Sequence, residues 1–513
     1  MTAATDAPVR RPLAPAGGGV PLTAARLLRL ELRHNTMPWL LPLIAALFWF
    51  DTYRPSTATP PYWVLRTFWN MGQGHTIIDF APFVAGVAAW VGSRDGRRGT
   101  ADLVTAAARP RWAVQLAAWA ATAIWAVGGY LAFVGALFAL YAHQGVRGQP
   151  PWWWVAVGAA AVLAFSAAGF AVGALYPSRF AAPLAAFGAM LAMLMSSQTG
   201  FTHTSGWAQI LPTNSNGNFQ ADSGMLYPWL PDLPIVRIMF LAGIAVAALG
   251  LLGLPAAAGG PRLRLAAAVT VLAGLAAAGT AAGLAGTARL GPHGLVIPAL
   301  HDAANDRPIA YTPDCAGGGF RVCLNPDYGS ELAHVTAALA PVVREVAGLP
   351  GAPVRATQVA AKYSAGEGQG GQAMTISGHP PVLGMPLGAL GIPGAFGWTD
   401  GETAGQLQLL LVHAFVGAGN GVGTPAQQAA QAALLQGAGL PFASQPNLLG
   451  SVGLPSWAPA TGGPGPTTPV PATGPIYAAA RRLAAMPAGP RHAWLAAHLA
   501  ALRAGHVTLA QLP

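Results

Sequence analysis

Lysine is almost missing from this chain of 513 residues: Lys362 is the sole example, and Tyr363 follows it. A phosphate-cradling Walker A loop needs Gly-x-x-x-x-Gly-Lys-Ser/Thr, so the chain holds none, and any ATP hydrolysis must belong to another polypeptide. No Gly-x-Ser-x-Gly occurs either, which removes the support for a serine-hydrolase elbow. Charge is scarce, at 9% of residues, and cysteine is limited to two. The first 21 residues lack the apolar core that a secretory signal peptide needs, and they read as a flexible tail. A formal net charge of +10 could suggest nucleic acid. The arginines instead flank apolar segments, where their work is to orient a chain in a bilayer, so no nucleic-acid partner is expected.

What the chain does have is hydrophobicity: 53% of its residues are apolar and its mean hydropathy is positive. Runs of spanning character lie at about Met37 to Phe50, Ile77 to Val91, Trp112 to Ala142, Trp152 to Tyr176, Phe180 to Ser196, Ile235 to Ala256 and Leu265 to Thr287. These predict an integral membrane protein with seven spans. The sequence from Leu22 to Asn35 precedes them, with Leu22, Ala25, Leu28 and Leu32 on one helical face and Arg26, Arg29 and Arg33 mostly on the others. An amphipathic helix lying along the membrane surface is expected there. With the N-terminus inside, the inner flanks collect Arg10, Arg11, Arg26, Arg29, Arg33, Arg94, Arg97, Arg98, Arg109, Arg111, Arg179, Arg262 and Arg264. The outer flanks hold only Arg54, Arg66, Arg147, Arg237 and Arg289, so the bias favours this orientation. The composition, poor in Lys and rich in Ala, Gly and Arg, suits a GC-rich bacterial genome, and the bacterial cell membrane is the expected location.

Seven crossings from a cytoplasmic start leave everything after Thr287 outside the cell. Both cysteines fall there, in "CAGGGFRVC", and an oxidising exterior predicts a Cys315–Cys323 disulfide; metal binding by two thiols is the weaker alternative. Short strands are expected at "GLVIPAL" and "FRVCLNP", and helices at "SELAHVTAALAPVVREVAGLP", "TAGQLQLLLVHAFVGAG", "IYAAARRLAAM" and "RHAWLAAHLAALRAG". This amounts to an α+β domain with a helical end.

The densest charge lies in "GSRDGRRGTADLVTAAARPRW", residues Gly92 to Trp112, between the second and third runs. Thr100 is placed as an N-cap, Asp102 sits in the first turn where the helix dipole favours a carboxylate, and Leu103, Val104 and Ala107 form an apolar ridge ended by Arg109 and Pro110. An orienting anchor would need the arginines but not the helix-forming residues between them. The ordered set of Arg97, Gly99, Thr100, Leu103, Val104 and Arg109 to Arg111 resembles the first cytoplasmic loop of ABC-2 type transporter permeases. In that family the loop is the coupling helix that docks on a separate ATPase subunit, and an amphipathic connecting helix precedes the first span. The resemblance covers roughly residues 22 to 257. It implies an ATPase-coupling surface at Arg94, Arg97, Arg98, Gly99, Thr100, Asp102, Leu103, Val104, Arg109 and Arg111. It further implies a second permease subunit, identical or not, and ATP and Mg held only by the partner ATPase.

The expected fold is therefore an α-helical polytopic membrane protein, a six-span ABC-2 type core plus a seventh span, with a C-terminal extracellular α+β domain. Its parts are a tail (1–21), a connecting helix (22–35), the membrane core (36–257), the added span (258–290) and the external domain (291–513). His75 and Asp79, four residues apart, are candidates for a transport pathway. Polar "TNSNGNFQADSG", within Ser197 to Pro234, stands where the family has a re-entrant region. "GFAVG" (Gly169 to Gly173) and "GTAAG" (Gly279 to Gly283) permit close helix packing. The C-terminal segments are also similar to external domains of actinobacterial permeases, distantly related to zinc peptidases of the HExxH class. Here His413 is followed by Ala414 where the Glu would stand and by Gly417 where the second His would be, while Glu331 and His334 read as a solvated helix face. No catalytic or metal residue is expected. The expected function is a permease subunit, an exporter of unknown cargo. The alternative is an ATP-independent receptor or a degenerate membrane-anchored peptidase.

Overall fold

The computed structural model describes residues 20–52, 75–99, 111–143, 149–202, 206–207, 209–211, 223–255, 260–291, 293–360, 374–386, 400–417, 423–442 and 474–513. Each of the seven apolar runs lies largely in a helix: α2 (Met37–Thr52), α3 (His75–Gly92), α4 (Arg111–His143), α5 (Trp152–Leu175), α6 (Ala181–Thr202), α7 (Asp232–Leu251) and α8 (Gly260–Gly286). Among the described residues four helices are long and apolar enough to cross a membrane, namely Arg111–Leu140, Trp152–Leu175, Asp232–Leu251 and Gly260–Gly286. The remaining runs give shorter apolar helices, at Met37–Leu47, Phe80–Gly92 and Ala181–Met195. These helices are apolar all round rather than on one stripe, as suits helices that meet other helices on one side and lipid on the other.

The amphipathic expectation becomes α1 (Val20–His34). Arg26, Arg29 and Arg33 are exposed as expected, but Ala25 is exposed too, and the buried position is Glu31. Helix α1 is followed by Asn35, whose side-chain oxygen accepts from the Met37 N–H at 2.9 Å and so turns the chain into α2.

Small residues bring the helices together. A side chain at Gly169 or Gly173 would run into the backbone of Ala85 or Ala89 on α3, so "GFAVG" is the seam between α5 and α3. Gly243 and Gly274 play the same part between α7 and α8. Gly279 and Gly283 of "GTAAG" have open space around them among the described residues. Arg237, counted above as an outer flank, is instead wholly buried inside α7, where Nε donates to the Gln209 carbonyl at 2.6 Å and the guanidinium lies over Trp154. A charge with local partners of this kind says nothing about orientation, which removes Arg237 from the flanking tally.

The C-terminal region pairs a hairpin of β1 (Arg289–Gly291) and β2 (Gly294–Val296) with a separate mixed sheet. In that sheet β3 (Asp314–Ala316), β4 (Arg321–Leu324), β5 (Arg355–Gln358), β6 (Thr375–Ser377) and β7 (Val382–Met385) lie in the order β3-β4-β5-β7-β6. The β4-β5-β7 centre is parallel and both edges are antiparallel. Helices α9 (Leu332–Val346), α10 (Asp400–Val416), α11 (Pro425–Gly437), α12 (Pro475–Ala485) and α13 (Ala488–Arg503) complete an α+β domain. Its core joins Leu324, Leu339, Leu383, Leu411, Phe415, Leu434 and Leu499. Met225 and Leu226 belong to this core as well, and the Leu226 carbonyl accepts from the Ile309 N–H at 2.9 Å. That end of the segment expected to be re-entrant therefore packs on the C-terminal domain; its 212–222 stretch lies outside the described residues. Cys315 and Cys323 face each other in the β3-β4 register and form the disulfide.

Candidate functional site

The chain leaves α3 through a single-turn helix, Arg94–Arg97, and ends the turn at Gly99, whose φ of 66° favours glycine. Ser93 starts it by donating from Oγ to the Trp90 carbonyl at 3.0 Å. Arg97 folds back over this start. Its Nε donates to Ser93 Oγ and its Nη2 to the Trp90 carbonyl, both at 3.0 Å, and its guanidinium stacks 3.5 Å from the Trp90 ring centroid.

Arg94 points the other way, to α1. It grips Glu31 with two parallel hydrogen bonds, Nη1 to Oε2 at 3.1 Å and Nη2 to Oε1 at 3.0 Å, and touches Asp95 at 3.4 Å. The Glu31 hydrogen bond, opposed by burial, raises the Arg94 pKa above its ordinary value, and the cation is permanent. Helix α1 is in turn fixed to α4, where Asn35 Nδ2 donates to Thr122 Oγ1 at 2.9 Å and Trp125 Nε1 donates to the Leu32 carbonyl at 3.0 Å. Trp112, at the start of α4, donates from Nε1 to the Leu249 carbonyl at the end of α7, at 2.9 Å. Gly96 packs against Pro177, between α5 and α6.

This arrangement divides the expected coupling residues. Arg94 and Arg97 spend their donors within the chain, so they brace the turn rather than present it. Arg98 and Gly99 are exposed, and Arg111 is half-buried as the first residue of α4. Thr100, Asp102, Leu103, Val104 and Arg109 lie outside the described residues, as do the side chains of His75 and Asp79 in α3. Sequence reading missed Glu31, Asn35 and Thr122. A sign of the first was present, since Glu31 is the only acid in α1.

In the C-terminal domain His413 is buried and lies 3.2 Å from Gln431 Nε2 on α11. Position 417, where a second zinc histidine would stand, is past the end of α10 at a φ of 74°, with Arg503 packed against it. Glu331 sits at the start of α9 and His334 one turn on, half-buried. Among the described residues no group of three or more His, Cys, Asp or Glu could hold a metal ion.

These elements define a class: a mostly helical chain with four helices able to cross a membrane and a small mixed sheet, consistent with a membrane protein. No family model matches the chain, no curated protein matches it, and no solved structure matches it.

Proposed function

We propose that the chain is the membrane-spanning permease subunit of an ABC-2 type transporter, an exporter in a bacterial cell membrane, working as a pair of permeases with two separate ATPase subunits. ATP and Mg would be held by those ATPases, since this chain has no Walker A lysine. One observation carries the reading: the arginine-rich turn is braced at once to α1, through Arg94 and Glu31, and to the α5–α6 connection, through Gly96 and Pro177. A partner that pushes on Arg98 and the 100–110 segment would move α1 and α3 together. The Asn35–Thr122 and Trp112–Leu249 bonds would pass that movement to α4 and α7. Such a chain of discrete contacts is what energetic coupling between sites requires.

The test is a pull-down of the full chain from native membranes. An ATPase is expected to come with the wild type and to be lost with Arg98→Glu combined with Leu103→Asp. Absence of any ATPase from the wild-type complex, or retention by the variant, would overturn the reading. Zinc-dependent peptide cleavage by the purified chain would favour the peptidase alternative.

A further inference from the structure

At the end of α7 nearer the C-terminal domain, the Asp232 carboxylate is wholly buried. Its Oδ2 accepts from the Ile297 N–H at 2.9 Å and from His301 Nδ1 at 3.2 Å. The other ring nitrogen, Nε2, reaches Asp306 Oδ2 at 3.1 Å. A neutral imidazole has one N–H, so the ring can donate to both flanking carboxylates at once only as the imidazolium. Asp232 Oδ1 is buried with no hydrogen-bond partner among the described residues, which makes the carboxylate depend on that cation. Ile297 sits beside this triad in a small apolar cluster with Val236 of α7 and Ala281 and Ala285 of α8.

We propose that Asp232, His301 and Asp306 form a proton-binding site that latches the 294–306 segment onto the ends of α7 and α8. The seating of the C-terminal domain on the membrane helices then follows the pH of the solution on that side.

Other charged groups lie along the same segment, Arg289 of β1 standing opposite Val296. Asp302 caps the 303–306 turn through the Ala304 N–H, and Arg307 follows that turn. His293, stacked on Tyr227 in the β1-β2 hairpin, feels Asp306, but burial dominates and lowers its pKa, so it stays neutral near pH 7. Arg237 lies five residues further along α7 and donates to Gln209. For His301 itself, burial disfavours the charged ring, but the hydrogen bonds and charges of Asp306 and Asp232 together outweigh it and raise its pKa above the ordinary imidazole value. A raised pKa in the seated state gives a stabilisation that is complete below about pH 6.5 and is lost as pH climbs through the raised value. The latch closes in acid and loosens in base. This inference does not rest on the transport reading.

Hydrogen exchange of the full chain in lipid nanodiscs, corrected for the intrinsic pH dependence and followed from about pH 5.5 to about pH 8.5, tests it. Residues 294–306 are expected to lose about tenfold in protection as the pH rises, the scale of one charge-assisted hydrogen bond, while α10 does not change. His301→Gln cannot take up a proton and should give a flat profile. Asp306→Asn keeps the Asp232 bond and should move the transition to lower pH, so it decides the question even if the first variant fails to fold. A flat wild-type profile, or a wild-type step retained by Asp306→Asn, would overturn the latch.

Discussion

Large apolar side chains line the cores of both the helix bundle and the C-terminal domain, but the two regions bring their elements together differently. In the bundle, the seams between α3 and α5 and between α7 and α8 close on Gly and Ala, so that backbone meets backbone. In the C-terminal domain, Leu, Val and Phe fill the space between the sheet and its helices. The difference follows from the solvent each region faces. Lipid is as apolar as a leucine side chain, so bulk gives helices no reason to associate, whereas close approach adds dispersion contacts. In water, large apolar side chains supply the driving force. The bundle should therefore be intolerant of added volume, and the C-terminal domain intolerant of lost volume.

The sharpest test of that contrast is Gly173→Leu. The new side chain would run into the Ala89 backbone carbonyl, which cannot swing away as a side-chain tip could. A cost above about 3 kcal/mol is expected, beyond the usual range for overpacking, and no folded monodisperse protein should be recovered in detergent. Gly283→Leu, in the matching motif with open space around it among the described residues, should not destabilise the protein in thermal unfolding and should gain up to about 1 kcal/mol from helix propensity. Equal behaviour of the two glycines would break the comparison.

Removing volume gives the next largest effect. Phe415 is fully buried in the C-terminal core, beneath the Arg503 guanidinium. Phe415→Ala should cost about 3–5 kcal/mol, seen as faster proteolysis of the C-terminal domain with the helix bundle left intact. A smaller loss is expected from reducing the disulfide. It closes a short loop, with a sequence separation of 8, which the chain-entropy relation converts to about 2.5 kcal/mol. Unfolding scans with and without reductant, compared with Cys315→Ser, measure it; reductant should then have no further effect on the variant.

The sequence made the helices legible because long apolar runs have few alternatives, and the disulfide legible because only two cysteines exist. It could not separate "GFAVG" from "GTAAG". Both have the same spacing, and what distinguishes them is the helix opposite, which no local pattern encodes. Strands β1, β3 and β5 to β7 were missed: the equally short β2 and β4 were legible from the apolar residues of "GLVIPAL" and "FRVCLNP", whereas "RATQ" and "TIS" offer almost none and "VLGM" is interrupted by Gly384. Helix α11, "PAQQAAQAALLQG", was missed because it is buried on nearly every side and so has no amphipathic contrast, with Gln427 spending its amide on the Leu502 carbonyl. Its readable sign was the capping box formed by Thr424 and Gln427. At the arginine-rich turn, the charge was legible but its partner was not. Glu31 and Arg94 are 63 residues apart, and only the packing of α1 brings them together.

That pair gives the smallest effect, and its two single substitutions should differ. Arg94 is 29% exposed at its side chain and Glu31 10%. After Glu31→Ala, water can still reach the guanidinium, so the loss should be below about 1 kcal/mol. After Arg94→Ala, a mostly buried carboxylate remains without its cation, so this variant should be the less stable of the two. The double variant removes that stranded charge and should recover part of the Arg94→Ala loss, giving a coupling energy of about 0.5–1 kcal/mol in a double-mutant cycle by thermal unfolding. The same cycle read as retention of the proposed ATPase partner separates bracing from docking. If Arg94 acts only by holding the turn to α1, the double variant should lose as much partner as either single one. A partner lost with Arg94→Ala but kept with Glu31→Ala would instead mean that Arg94 itself touches the ATPase.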